Sequence, residues 1–108
     1  MDLTNKKCVP CEGDAQPLKD KEANQLLKEI PTWIIKEGHV YKKFKFKNFV
    51  EAMKFITSVA QLAESEGHHP DFSVHYNKVE IDLWTHAING LSENDFIVAA
   101  KIDRILSQ

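Results

Sequence analysis

Apolar residues recur along this chain with two different periods, and the switches between them outline its elements. Ala23, Leu26, Leu27 and Ile30 stand at the i, i+3, i+4, i+7 spacing of an amphipathic helix, with Asp20 as its N-cap and Pro31 as its stop. Residues 32–37 and 40–47 then alternate with a period of two, joined at Gly38-His39, as a pair of strands does. In the second of these, Val40, Phe44 and Phe46 share one face, and Tyr41, Lys43 and Lys45 the other. Asn48 with Glu51 three positions on starts a second helix, and Gly67 ends it. Its stripe of Phe49, Met53, Ile56, Ala60 and Ala63 is widened by Ala52, Phe55, Val59 and Leu62, a face broad enough to predict deep burial. A third helix starts at Ser92, with Asp95 three residues on, and carries Phe96, Ala99, Ala100, Ile102, Ile105 and Leu106.

Between the second and third helices, residues 71–76 and 79–86 alternate around Asn77-Lys78, which predicts a two-residue hairpin loop. That loop sets Tyr76 opposite Val79, Val74 opposite Ile81, Phe72 opposite Leu83 and His69 opposite His86. One face then reads Phe72, Val74, Tyr76, Val79, Ile81, Leu83 and is apolar throughout; the other reads His69, Asp71, Ser73, His75, Glu80, Asp82, Trp84, His86. A slip of one residue would mix the two sets. The histidines thus fall on the face away from the core.

The order is α-β-β-α-β-β-α, which predicts an α+β fold: a four-stranded antiparallel sheet with helices packed on one face. With 108 residues, 43% of them hydrophobic, residues 18–108 make one domain. Residues 1–17 lack an apolar period and contain Pro10, Gly13 and Pro17. They are expected to be a flexible tail, whose removal costs less than about 1 kcal/mol. A formal net charge of −2 supplies no basic field for nucleic acid, and the local cluster Lys42, Lys43, Lys45, Lys47 reads as a solvated strand face. No apolar run is long enough to span a bilayer and the start is unlike a signal peptide, so the expected location is cytoplasmic. Cys8-Val9-Pro10-Cys11 is a lone Cys-x-x-Cys with no second pair to complete a four-sulfur site.

His68, His69 and His86 are brought together by the helix–hairpin link, with Glu64 one helical turn before His68. Imidazoles titrate near ~6.5, so at neutral pH one can donate a proton while another accepts. Elimination of water needs that division of labour. A three-histidine metal site is the other chemistry open to this cluster, although adjacent histidines on a strand would point to opposite faces. Trp84 on the same face could stack on a planar ring or fill a subunit interface, whereas His39 and His75 read as polar strand-end residues.

Glu64, then His68-His69-Pro70 with Phe72, Tyr76-Asn77-Lys78-Val79, Thr85-His86 and Gly90-Leu91-Ser92 with Asp95 together resemble the pterin-4a-carbinolamine dehydratase family. Upstream, Trp33 and residues 44–52 resemble it as well, and the likeness spans roughly residues 20–105. Two departures stand out: Gly67 where many relatives carry a polar residue, and Phe72 in place of a tryptophan. The resemblance implies a hydro-lyase that converts 4a-hydroxytetrahydrobiopterin to quinonoid dihydropterin, without metal or other cofactor. It implies recycling of the pterin used by aromatic amino acid hydroxylases such as phenylalanine hydroxylase, and assembly as a homodimer or homotetramer. It implies His68, His69 and His86 as catalytic residues and Glu64, Pro70, Phe72, Trp84, Thr85 and Asp95 as substrate-binding, with Glu64 holding a histidine or a ring nitrogen. Animal relatives also serve as a dimerisation cofactor of a transcription factor, which leaves a protein-binding role as the alternative.

Overall fold

A computed structural model of the chain describes residues 2–10 and 16–107. Helix α1 (Asp20–Leu27) is followed by strands β1 (Ile34–Lys36) and β2 (His39–Lys45), helix α2 (Phe49–Glu66), strands β3 (Asp71–His75) and β4 (Lys78–Leu83), and helix α3 (Glu93–Leu106). The four strands form one antiparallel sheet in the order β1-β2-β4-β3. The α+β order is the one the alternating periods predict.

Helix α2 shows why its ends were legible. The Asn48 side chain accepts the Glu51 N–H at 2.9 Å, and Gly67 takes the left-handed conformation at φ 66°. Its wide apolar face is only partly covered, however. Ala52, Phe55, Ile56, Val59 and Ala63 are buried, whereas Phe49, Val50 and Met53 are bare.

Both hairpins turn one position earlier than predicted. Lys36 pairs with His39, so the first loop is Glu37-Gly38, both at positive φ (52° and 79°), as a type I′ turn requires. His39 is therefore a strand residue. In the second hairpin Val74 pairs with Val79 and His75 with Lys78, so the loop is Tyr76-Asn77 and Tyr76 carries the positive φ of 57°. The expected pairs of Val74 with Ile81 and Phe72 with Leu83 are each displaced by two residues. The reason lies outside the hairpin: Asn77 donates its side-chain amide to the Phe46 carbonyl at 2.9 Å and accepts the Phe46 N–H on its own carbonyl at 2.8 Å. A shift of two leaves each residue that remains in β3 or β4 on its predicted face. Val79, Ile81 and Leu83 are fully buried beneath the helices.

The core joins Val40 and Phe44 of β2 to β4, to α2 and to Phe96, Ile97, Val98, Ala99 and Ile102 of α3. Trp33, 1% exposed, donates its indole N–H to Asp103, and Lys42 reaches the same carboxylate at 2.9 Å across the Phe44 ring. This places one member of the basic cluster in a specific ion pair.

Residues 2–10 correct the expectation of a loose tail. Leu3, in a short 3-10 turn, is 2% exposed within the core, and Lys6 pairs with Glu93 at 2.9 Å. One buried leucine in three residues creates no period, which is why the pattern missed it. Cys11 lies outside the described residues.

Farther on, Thr85 and Gly90 form an isolated antiparallel bridge. A Cβ on Gly90 would come within 2.7 Å of Pro17 Cβ. Gly90→Ala is therefore expected to destabilise the protein by about 1–3 kcal/mol, the scale of overpacking, in urea denaturation. A loss below the error of that measurement would mean that Pro17 yields freely.

Candidate active site

His68 and His69 occupy the link that Gly67 starts, and they diverge because the link is irregular. His68 turns inward, 11% exposed, with its Nε2 2.6 Å from Asp95 Oδ1. Asp95 is fully buried in the first turn of α3, and its other oxygen accepts the Thr85 hydroxyl and the Ser92 N–H, each at 2.9 Å. The Ser92 and Thr85 hydroxyls are themselves 2.7 Å apart. This carboxylate thus ties the helix start, the end of the β4 region and His68 together, and it balances any positive charge on that imidazole. His69 turns outward, 60% exposed, against Glu64 of α2 at 2.5 Å.

His86 is not on a strand. Strand β4 stops at Leu83, and the Thr85–Gly90 bridge folds residues 86–88 into a 3-10 turn. The expected pairing of His69 with His86 across the hairpin is therefore absent. The link and the turn nonetheless converge. Gly67, His68, His69, Pro70, Asp71, Trp84, Thr85 and His86 line one cleft of about 390 Å³, joined by Ala87, Asn94 and, from the N-terminal segment, Val9 and Pro10.

The Trp84 ring stacks on His86 at 3.9 Å between centroids and on His39 at 4.8 Å. Asp71 accepts the Trp84 indole N–H at 2.9 Å and lies 3.9 Å from His86 Nε2. His39, read as a polar strand-end residue, is thus the outer layer of a three-ring stack, with its Nδ1 3.7 Å from Asp82. Its contact with Trp84 crosses between two hairpins, and no local pattern carries it. Asp71 did have a signal, since period two puts it on the face of Trp84 and His86. His75 is exposed on β3 and outside the cleft. Phe72, expected to contact substrate, shares the apolar face with Ile81, is 42% exposed and does not line the cleft. Glu64 and Asp95 likewise stand behind histidines rather than on the cleft wall.

Cys8 donates its backbone N–H to Glu66, which also takes the Lys101 ammonium at 2.6 Å. Burial, then the nearby Glu66 carboxylate, pushes the Cys8 thiol up to about 12. Burial alone would raise Glu66, but the Cys8 N–H and Lys101 outweigh it and hold the carboxyl below its usual range. Among the described residues no group of three or more His, Cys, Asp or Glu side chains is arranged to hold a metal ion. None of the described helices is long and apolar enough to cross a membrane.

A family described as pterin 4 alpha carbinolamine dehydratase matches residues 16–105. Proteins named "Putative pterin-4-alpha-carbinolamine dehydratase" are similar over nearly the whole chain. One from Rickettsia canadensis is 50% identical, with 94% of each chain covered; one from Halorhodospira halophila is 44% identical, with 97% of this chain and 98% of that one covered. Among solved structures, a transcriptional coactivator/pterin dehydratase from Brucella melitensis superposes with a TM-score of 0.79 at 34% identity, covering 83% of this chain and 98% of that one.

Proposed function

The chain belongs to the pterin 4 alpha carbinolamine dehydratase family, and on that premise we propose that it dehydrates 4a-hydroxytetrahydrobiopterin to quinonoid dihydropterin by histidine acid–base catalysis. The observation that carries this reading is the convergence of His68, His69 and His86 on one cleft beside the Trp84 ring. In the reaction the C4a–O bond breaks, the hydroxyl leaves as water after gaining a proton, and N5 loses its proton as the C4a–N5 double bond forms. His68, oriented by Asp95, is suited to take the N5 proton, because the buried carboxylate balances the imidazolium that results. His86 lies at the open side, 59% exposed, and is suited to protonate the leaving hydroxyl and be reloaded from water. His69, held by Glu64, orients the ring system. No step calls on a metal or an organic cofactor. In this role the protein would return pterin to aromatic amino acid hydroxylases such as phenylalanine hydroxylase.

The test is dehydration of synthetic 4a-hydroxytetrahydropterin by the purified protein, with the buffer-catalysed reaction subtracted. Acceleration is expected; a rate equal to buffer would overturn the reading.

One observation favours a second reading, a protein-binding role. Phe49, Val50 and Met53 leave a bare apolar strip on α2, at 49%, 59% and 37% exposure, and the Brucella relative is titled a coactivator as well as a dehydratase. The same strip suits the proposed homo-oligomer. Neither use involves the histidine cleft, so the dehydration assay separates catalysis from both.

A further inference from the structure

Near the start of the chain, successive backbone groups are gripped by side chains from the very elements that deliver the histidines. The Cys8 N–H donates to Glu66, the last residue of α2, at 2.9 Å. The Val9 N–H donates to Asn94 Oδ1 at 3.0 Å, while Asn94 Nδ2 donates to the Val9 carbonyl at 2.6 Å. Asn94 is 4% exposed and adjoins Asp95 in α3. A side-chain amide that satisfies both backbone groups of one residue imitates a strand partner. Val9 precedes a proline, which already favours extended backbone there, and Pro10 has no N–H to leave unpaired. Upstream, Leu3 in the core and the Lys6–Glu93 pair anchor the segment.

The outcome is unusual for so short a stretch. Val9 and Pro10 line the histidine cleft, yet Val9 is 65% exposed. Its place is set through the backbone, not by burial of the side chain. An apolar residue fixed against a reactive cleft, and contributing little to the core, is available for contact with a ligand.

We infer that Val9 and Pro10 form a selectivity wall of this cleft, contacting the substituent of the pterin rather than its reacting atoms. This rests on the dehydratase reading. The imidazoles must face C4a and N5, where bonds change. C6 is bonded to N5, so a pterin held with its reacting atoms at the histidines carries its C6 substituent beside them, within the same cleft. Val9 and Pro10 are the rim residues that come from a separate, clamped segment, and a change there alters the shape of the cleft without touching a histidine.

The test compares turnover of the 4a-hydroxy adducts of 6-methyltetrahydropterin and tetrahydrobiopterin, which differ at C6. Val9→Trp keeps the backbone clamp and adds bulk at the rim; Asn94→Ala releases the clamp. In Val9→Trp the ratio of kcat/KM for the two substrates is expected to shift by about tenfold, the scale of small size differences in a pocket, mainly through KM. In Asn94→Ala the ratio should also move, toward equality. Asn94 is buried and its variant could unfold, so Val9→Trp, which alters an exposed side chain, keeps the test decisive. An unchanged ratio in folded, active Val9→Trp overturns the inference and leaves the segment as a brace. If the wild-type protein turns over neither substrate, the dehydratase reading fails, and binding of 7,8-dihydrobiopterin, followed by fluorescence, decides the wall by itself. Weaker binding by Val9→Trp than by wild type would support it; equal binding, or none by either protein, would overturn it.

Discussion

Replacing His68 or His86 by alanine is expected to slow dehydration by about 10²–10⁴-fold, the contribution typical of a positioned acid or base. The two residues reach the cleft from different elements, His68 from the link after α2 and His86 from the turn after β4. Their losses should differ in kind. His68 is anchored by a buried carboxylate, so its removal also disturbs the protein, whereas His86 is more than half exposed and its removal should leave stability nearly unchanged. His75→Ala supplies the control, since it keeps an imidazole's worth of change on the open face but outside the cleft. Steady-state assays of the three variants, each checked for folding by circular dichroism, read the outcome. Comparable losses at His75 and His86 would remove the assignment.

The second large effect belongs to Asp95. Its carboxylate is fully buried and meets His68, the Thr85 hydroxyl and the Ser92 N–H at once. Asp95→Ala leaves these partners without their acceptor, in a place water does not easily reach. The expected cost is about 3–5 kcal/mol, as for a buried pair deprived of one member. Urea denaturation measures it. Glu64→Ala offers the contrast, because Glu64 pairs with His69 at the surface, where such contacts contribute less than about 1 kcal/mol. Similar losses in both variants would mean that Asp95 is not the tie its geometry describes. Asp95→Asn sharpens the test. The amide has one acceptor oxygen and one NH₂, so either His68 or the Thr85–Ser92 pair must face a donor.

The elements that could be read from sequence are those whose signals are local. Asn48 and Gly67 bound α2 through chemistry contained within a few residues, and the faces of β3 and β4 follow from alternation. The hairpin loop was misplaced because Asn is the usual occupant of a positive-φ position, whereas here Asn77 is engaged with Phe46 and Tyr76 adopts that backbone instead. Alternation cannot distinguish registers two residues apart, which is why the faces survived the error. Strand β4 was read three residues too long because Trp84 and His86 continue the period past the Thr85–Gly90 bridge. In the candidate site, the three histidines were legible as a cluster. Phe72 joined the expected site through the family motif alone, although alternation places it on the apolar face, opposite the histidines, where the structure has it. His39 and Val9 reach the site only through contacts made across the folded chain, with Trp84 and Asn94 respectively.

The strand order β1-β2-β4-β3 has a consequence for how the molecule comes into being. The central seam of the sheet joins β2 to β4, with Val40 beside Leu83 and Phe44 beside Val79, and the whole of α2 lies between them in the chain. Each hairpin carries half of the seam, and a lone two-stranded hairpin is marginal in water. The first hairpin therefore has no stable home until the second has been synthesised and α2 has folded back over both. His39 waits on one side of that seam, Trp84 and His86 on the other, and Asp95 follows later still. During synthesis the cleft is a late product: loop closure across α2 must come first, and no fragment ending before α3 contains the carboxylate that holds His68.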